Sequence, residues 1–477
     1  MRIVAKIMKW LGIGIGALLV LIILASLIMN VIFGRELRQT MAKLKAEGRA
    51  LTIAEIRPAP IPDDQNAAPL FQKAAELMGS RSYGKPEPKA APAIKELSDL
   101  INSNAFLISS NNMLDISNWS AAHREALPRL IQSPEMTELF AVLHEASQKS
   151  GYNNNPKYED GPSMILPNLG SIREMLRCLS IKAELAAQNG NTDEAWATVL
   201  EGLKLANLLQ QEPTLVALLV RIACDKIMID CLERMADKTD VPADRAHALI
   251  AELAQHTDAT PWIRAMDGER VGIGLWCYQT LQHGSFRDFN SFLSTEMNFP
   301  RWLAWGLKYP YAPILKKEMV IFLTLQPQHQ DYYKVPYYQV AAIIRNHSYE
   351  DQISEYWLIP KGGLLLGLLL PNLDGCVTRK AVYDATIAVA RVGLGLKLFK
   401  QKNGAYPDTL DKLAPEFIDT IPVDPFTGKA LIYRKASAGF ILYSVGPNQQ
   451  DDNGTPQPTH RKATGKEPYD IVWKCVR

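Results

Sequence analysis

Cysteine is scarce in this chain and never falls in a short paired motif. The six are Cys178, Cys224, Cys231, Cys277, Cys376 and Cys475, with no C-x-x-C among them. That pattern excludes a disulfide framework or a zinc site. Cys224 and Cys231 lie about 10 Å apart along a helix, too far to bridge, and the six read as small buried hydrophobes. An excess of either charge is also missing: Lys plus Arg number 52 against 50 for Asp plus Glu. Without a basic footprint or a base-reading motif, no nucleic-acid partner is expected. The eight histidines, His123, His144, His247, His256, His283, His329, His347 and His460, show no metal-ligand spacing such as H-E-x-x-H. G-x-S-x-G, P-loop and dinucleotide fingerprints are absent too. Asp267 with Glu269, and Tyr349–Tyr356, gather acidic groups that can in principle act as acid and base. Helical surfaces carry such pairs routinely, so no catalytic residue is assigned and the reading leans away from an enzyme. Wholesale disorder is excluded by a hydrophobic content of 47% and a charged content of 21%.

What is present begins with one uncharged run, Trp10–Phe33, 24 residues interrupted only by Ser26 and Asn30 as polar side chains. As a helix it reaches about 36 Å, enough to cross a hydrocarbon core of about 30 Å. Arg2, Lys6 and Lys9 precede it, as in an export signal, but Leu27, Ile28 and Met29 follow Ala25-Ser26 where a cleavage site needs small residues. A retained signal-anchor is expected, in the inner (cytoplasmic) membrane, with the lipid bilayer as its partner. Basic residues lie on both sides of the run, and a strict count puts the C-terminal side in the cytoplasm. Large following domains translocate regardless of such counts, so the body is expected to be extracytoplasmic.

Beyond the anchor the spacing is helical. Gly34–Ala50 reads as a charged helix leaving the membrane, and Leu51–Ile56 as a helical turn or a strand. Arg57–Pro62 is extended, because its alternate prolines deny helix hydrogen bonds. Asp63-Asp64-Gln65-Asn66 is expected to cap a helix running to about Met78. Leu169–Gln188 and Thr192–Gln211 form a helical pair around Gly190, with Asn191 or Thr192 as the second cap and Pro213 opening a third helix. Residues 183 to 195 (AELAAQNGNTDEA) resemble the helix–turn–helix junction of a tetratricopeptide unit. No second copy appears at a period of about 34, so a single TPR-like hairpin is expected. Further helices follow over Ala243–Gln255 and Val271–Leu281. Trp302, Trp305, Tyr309, Tyr311, Tyr332, Tyr333, Tyr337 and Tyr338 cluster as core aromatics, a groove or a membrane-interface surface. Leu364–Leu370 is too short to span a bilayer and is expected to be buried or interfacial.

The character changes at Asp374-Gly375. Val377–Lys402 is one long helix ended by Asn403-Gly404, followed by Tyr406-Pro407, then Ile421-Pro422-Val423-Asp424-Pro425 with Gly428. Two alternating runs, Ala430–Arg434 and Gly439–Ser444, form a hairpin, and Asp470-Ile471-Val472-Trp473 closes the chain. This order resembles the C-terminal module of the major pseudopilins of type II secretion systems, over roughly residues 377–473. The G-F-T-L-I-E-type leader junction of that family is missing from the helix, which marks a grafted module rather than a filament subunit. The resemblance supplies most of the case for an extracytoplasmic body. It also implies a calcium-binding loop after the hairpin. On this chain that ligand set is Asn448, where the family has Asp, with Asp451, Asp452 and Asp470, a group of oxygen donors suited to hard Ca²⁺.

The expected architecture is mainly α, with a basic segment at 1–9, a transmembrane helix at 10–33, and a charged helix and Pro-rich linker at 34–66. An α-helical domain follows at 67–375 and a pseudopilin-like α+β module at 376–477. The expected function is a membrane-anchored, non-enzymatic scaffold or envelope-assembly protein linked to a secretion or pilus-like system, with envelope or secretion-system proteins as partners. The alternative is a membrane-tethered hydrolase whose site lies in the helical domain near the aromatic stretch.

Overall fold

A computed structural model describes residues 2–80, 89–107, 114–283, 301–346, 365–369, 373–436, 439–456 and 468–475. Its first element, α1 (Arg2–Ala46), runs through the apolar stretch and the charged stretch after it without a break. Among the described residues it is the one helix long and apolar enough to cross a membrane. Leu18, Leu21, Leu27 and Ile28 all project outward with more than half of their surface open. In a soluble setting that much exposed apolar surface would drive association.

The chain then turns through α2 (Ile53–Ile56), whose Thr52 and Glu55 form a capping box. Next come α3 (Ala68–Leu77), α4 (Pro92–Leu107), α5 (Ala121–Ile131) and α6 (Pro134–Ser147). Three helices form the middle of the body: α7 (Leu169–Gln188), α8 (Thr192–Leu208) and α9 (Leu215–Lys238), with α10 (Ala243–Gln255) packed on α8. Gly190 sits at φ +80, the left-handed geometry that a residue without Cβ adopts at least cost. Three expected caps differ in detail. Asn66 bonds the Ala68 amide but stands one residue before the cap position, which Ala67 holds, and Asn191 holds the cap position of α8 without a side-chain bond. Thr214 rather than Pro213 begins α9, its hydroxyl accepting from the Ala217 amide.

After α11 (Thr260–Gly268) the chain passes through a π-helical segment, Glu269–Leu275, into α12 (Trp276–His283). The long α13 (Arg301–Tyr332), the short α14 (Tyr337–Asn346) and α15 (Leu366–Leu369) lead to α16 (Leu373–Asn403), which starts four residues before the expected Val377. Leu365, Leu366 and Leu369 are buried. Tyr333 is buried and stacked on Trp262, whereas Tyr338 stays partly exposed.

The expected hairpin is β1 (Ile432–Lys435) and β2 (Phe440–Ser444), antiparallel with Tyr433 opposite Leu442. The closing D-I-x-W end is a third strand, β3 (Ile471–Cys475), antiparallel to β2 with Leu442 opposite Trp473. This sheet lies on α16 at Gly393, and at Gly395 the helix is approached instead by Ile418 and Leu413. A Cβ on Gly393 would meet the Trp473 ring at 1.9 Å, so the absence of a side chain there sets the helix–sheet distance. The architecture is thus mainly α with a small C-terminal α+β module. One apolar cluster runs from Phe71, Leu143, Trp196 and Leu232 to Ile387, Leu396, Phe440 and Trp473, so α16 belongs to the cores of both the body and the module. All six cysteines are free and buried.

Candidate functional site

Beneath the junction of α8, α9, α10 and α16 lies a set of polar side chains in the apolar core. Arg221 and Asp225 sit one helical turn apart on α9, as do Glu252 on α10 and His256 at its C-terminal cap. Asn207 comes from α8 and Tyr383 from α16, and all six are buried. The Tyr383 hydroxyl donates to Asp225 Oδ2 at 2.5 Å and lies 3.4 Å from His256 Nδ1. The two ring nitrogens of His256 face two carboxylates, Nδ1 at 3.1 Å from Asp225 Oδ1 and Nε2 at 3.3 Å from Glu252 Oε1. Asn207 Nδ2 donates to the same Glu252 oxygen at 3.1 Å, and Arg221 Nη2 donates to Asn207 Oδ1 at 3.0 Å.

Burial on its own would push the His256 pKa down. The charge of Asp225 and the bonds to Asp225 and Glu252 outweigh it and hold the pKa above its ordinary value. The cluster's two basic side chains, Arg221 and His256, are matched in number by its two carboxylates, Asp225 and Glu252. Burial, reinforced by the neighbouring Asp225 carboxylate, drives the Tyr383 phenol far above its ordinary value, so it stays protonated as a donor.

The cluster reaches solvent at one side. Asn207 and Glu252 form part of the wall of a polar cavity of about 310 Å³, together with Lys204, Gln210, Gln255 and Ser147. Ser147 Oγ donates to the His144 carbonyl at 2.7 Å and accepts from the Gln148 side-chain amide at 3.1 Å. Cys178, Cys231 and Cys277 offer no thiolate, since burial pushes each of them up to about 12. The arrangement links Asp225, His256, Glu252 and Tyr383 by direct polar contacts, and it ties four helices together.

A second cavity of about 310 Å³ lies beside the aromatic stretch, walled by Tyr332–Tyr338, Val377, Lys380, Asp384, Val423 and Pro425. Its carboxylate, Asp384, is paired with Lys380, and burial raises the Asp384 pKa. Tyr337 meets Phe426 edge-on at 5.2 Å and the Tyr338 amide donates to the Pro425 carbonyl at 3.2 Å, which seats this loop on the C-terminal module.

Of the acidic residues singled out from the sequence, Asp267 is ion-paired with Arg270. Glu269 accepts from the Leu215 amide at 3.1 Å at the start of α9. Tyr349–Tyr356, His347 and His460 lie outside the described residues. In the loop after the hairpin, Asn448 Nδ2 donates to Asp452 Oδ2 at 2.8 Å, and Asp470 accepts from the amides of Asp452 and Gly454. Asp451 turns away to Tyr443 and Arg434. Among the described residues, no three His, Cys, Asp or Glu side chains converge as a metal site needs. The nearby motif Asp424-Pro425 with Gly428 has a different task. The buried Asp424 carboxylate accepts from the amides of Phe426 and Val445 and from the Ser444 hydroxyl, fastening the turn to β2.

The six-residue cluster went unrecognised in the sequence because its members come from four helices. A signal was nevertheless present: Arg221/Asp225 and Glu252/His256 are two i,i+4 polar pairs set into otherwise apolar helix faces. No protein-family model, curated protein or solved structure matches the chain.

Proposed function

We propose that this protein is a membrane-anchored scaffold without catalytic activity of its own. It holds a rigid helical body and its fused C-terminal module in the space outside the cytoplasmic membrane, where envelope or secretion-system proteins assemble on it. The observation that carries the reading is the way the anchor joins the body. α1 continues past its apolar part and is pinned along α13 at two levels, by Lys317 Nζ to Glu36 at 2.6 Å and by Arg49 to Asp331 at 2.7 Å. Leu44 then enters the core formed by Trp262, Met266 and Phe322. A flexible tether would suit an enzyme that reaches for substrate; a rigid mount suits a protein whose task is position. The buried polar cluster that ties α8, α9, α10 and α16 together supports the same reading.

The test is in the native membrane. A photo-crosslinker at Tyr338, on the rim of the aromatic cavity, should trap a defined envelope protein, and a reporter fused after Arg477 should be active outside the cytoplasm. Crosslinks to lipid alone, or a reporter active only in the cytoplasm, would contradict the proposal.

A further inference from the structure

The helices α6, α8 and α10 all end at the polar cavity beside the buried cluster. Its wall takes Ser147 and the loop after it from the end of α6, and Lys204 and Asn207 from the last turns of α8. The 3-10 turn after α8 adds Gln210, and the end of α10 adds Glu252 and Gln255. A helix carries roughly half an elementary negative charge at its C-terminus, from carbonyls that have no partner within the helix. Such ends gathered around one cavity favour a positive group inside it.

Glu252 adds to the same field. Its side chain is only 10% exposed, and both of its bonds fall on one oxygen, Oε1, from Asn207 at 3.1 Å and His256 at 3.3 Å. A carboxylate offers about four lone-pair positions, so Oε2 is left to accept more. Among the described residues Oε2 takes no hydrogen bond, and it keeps contact with the cavity. Arg221, through Asn207, holds the carboxylate in this orientation. The opposite charge comes from Lys204, one turn before Asn207, which has no ion-pair partner among the described residues. Lys149 is already committed to Glu145 at 3.3 Å. No aromatic ring lines the cavity, so it offers no stacking surface for a sugar or a base.

We propose that this cavity binds a small zwitterion, a free α-amino acid, with its ammonium on Glu252 Oε2 and its carboxylate on Lys204. The side-chain amides of Gln210 and Gln255 then meet a polar side chain of the ligand. A volume of about 310 Å³ stands at the lower end of the range of about 300–1,000 Å³ for small-molecule sites, which suits one amino acid rather than a longer peptide. A bare anion would face the Glu252 carboxylate and the helix ends. A calcium ion would need about six to eight oxygens, where one carboxylate oxygen stands open. Held at both ends, the amino acid bridges α8 to α10 beside the Asn207–Glu252 bond, so it stabilises the folded body when it binds. The scaffold is then a body with a ligand-loaded and a ligand-free state.

The experiment titrates the full chain in detergent with glycine, glutamine, glutamate and lysine, followed by calorimetry and by the melting temperature. The tightest of the four is then compared with its N-acetyl form, which lacks the ammonium, and its carboxamide form, which lacks the carboxylate. Saturable binding that raises the melting temperature is expected, with each stripped form weaker by about tenfold or more, as follows from losing one charged hydrogen bond. Lys204→Met should weaken binding by about tenfold and leave the ligand-free melting temperature where it was, since Lys204 lies outside the cluster. Glu252→Gln should abolish binding, and because it also touches the cluster, the Lys204 variant carries the test by itself. Failure of all four amino acids to bind at millimolar concentration overturns the proposal. Stripped forms that bind as well as the parent, or binding indifferent to Lys204→Met, overturn it too. So does saturable binding of inorganic phosphate or calcium chloride in place of the amino acids.

Discussion

Arg49 and Arg270 share Gln330 as an acceptor, each at 3.0 Å from its Oε1 atom, so the end of the anchor helix and the buried middle of the body are joined through one side chain. Arg270 is fully buried and also donates to the Ala50 carbonyl at 3.1 Å, to Gln326 at 2.7 Å and to Asp267. A planar guanidinium fork is needed to reach all four.

Arg270→Lys is therefore expected to be far from conservative. An ammonium supplies charge at one point and leaves some of these acceptors bare. A loss of about 3–5 kcal/mol follows from breaking a buried charged arrangement, read by thermal unfolding in detergent. A variant as stable as the parent would show that the fork is not what holds the anchor to the body.

His256 gives a pH-dependent prediction. Its folded pKa is raised, so its contribution is complete below the ordinary histidine value of about 6.5 and fades as pH rises through the folded value. His256→Gln should cost about 3–5 kcal/mol in mildly acidic buffer and progressively less in alkaline buffer. A gap that widens with pH would mean that the imidazole is neutral in the fold. Tyr383→Phe, which strips one donor from Asp225, should cost about 1–3 kcal/mol.

In the C-terminal module, Asp424→Asn replaces an acceptor with an amide group for which no second acceptor stands ready. Either the Val445 amide or the Ser444 and Phe426 donors lose their partner, for an expected cost of about 1–3 kcal/mol. Gly393→Ala should cost about 1–3 kcal/mol by pushing Trp473 off α16. Chemical denaturation followed by tryptophan fluorescence reads both, and an unchanged midpoint for either would refute the packing described for that residue.

Because the six thiols are free, buried and unpaired, a reductant should leave the melting temperature of the full chain unchanged, and a maleimide should modify the folded chain only after denaturation. Rapid labelling of the native state would show that a cysteine face is open.

Much of this was legible in the sequence where the controlling interaction is local. Gly190 between α7 and α8, Gly404 after α16 and the hairpin of β1 and β2 follow from short-range turn chemistry, and the mainly α class follows from helical spacing. The π-helical turn at Glu269–Leu275 was not legible, since no local pattern marks it. Neither was the polar cluster, because Asp225 and Tyr383 meet across 158 positions. Nor do neighbouring residues in the sequence announce that Tyr443 and Arg434, on the adjacent strands, bond the Asp451 side chain.

The central claim is a body mounted rigidly on a membrane helix, and one distance tests it. Spin labels at Gln39 on α1 and at Val216 on α9, both exposed, can be measured by pulsed dipolar spectroscopy in the full chain reconstituted in vesicles. A single narrow distance distribution, preserved between vesicles and detergent, is the predicted result. A broad distribution, as from a body swinging on a tether, would contradict the account.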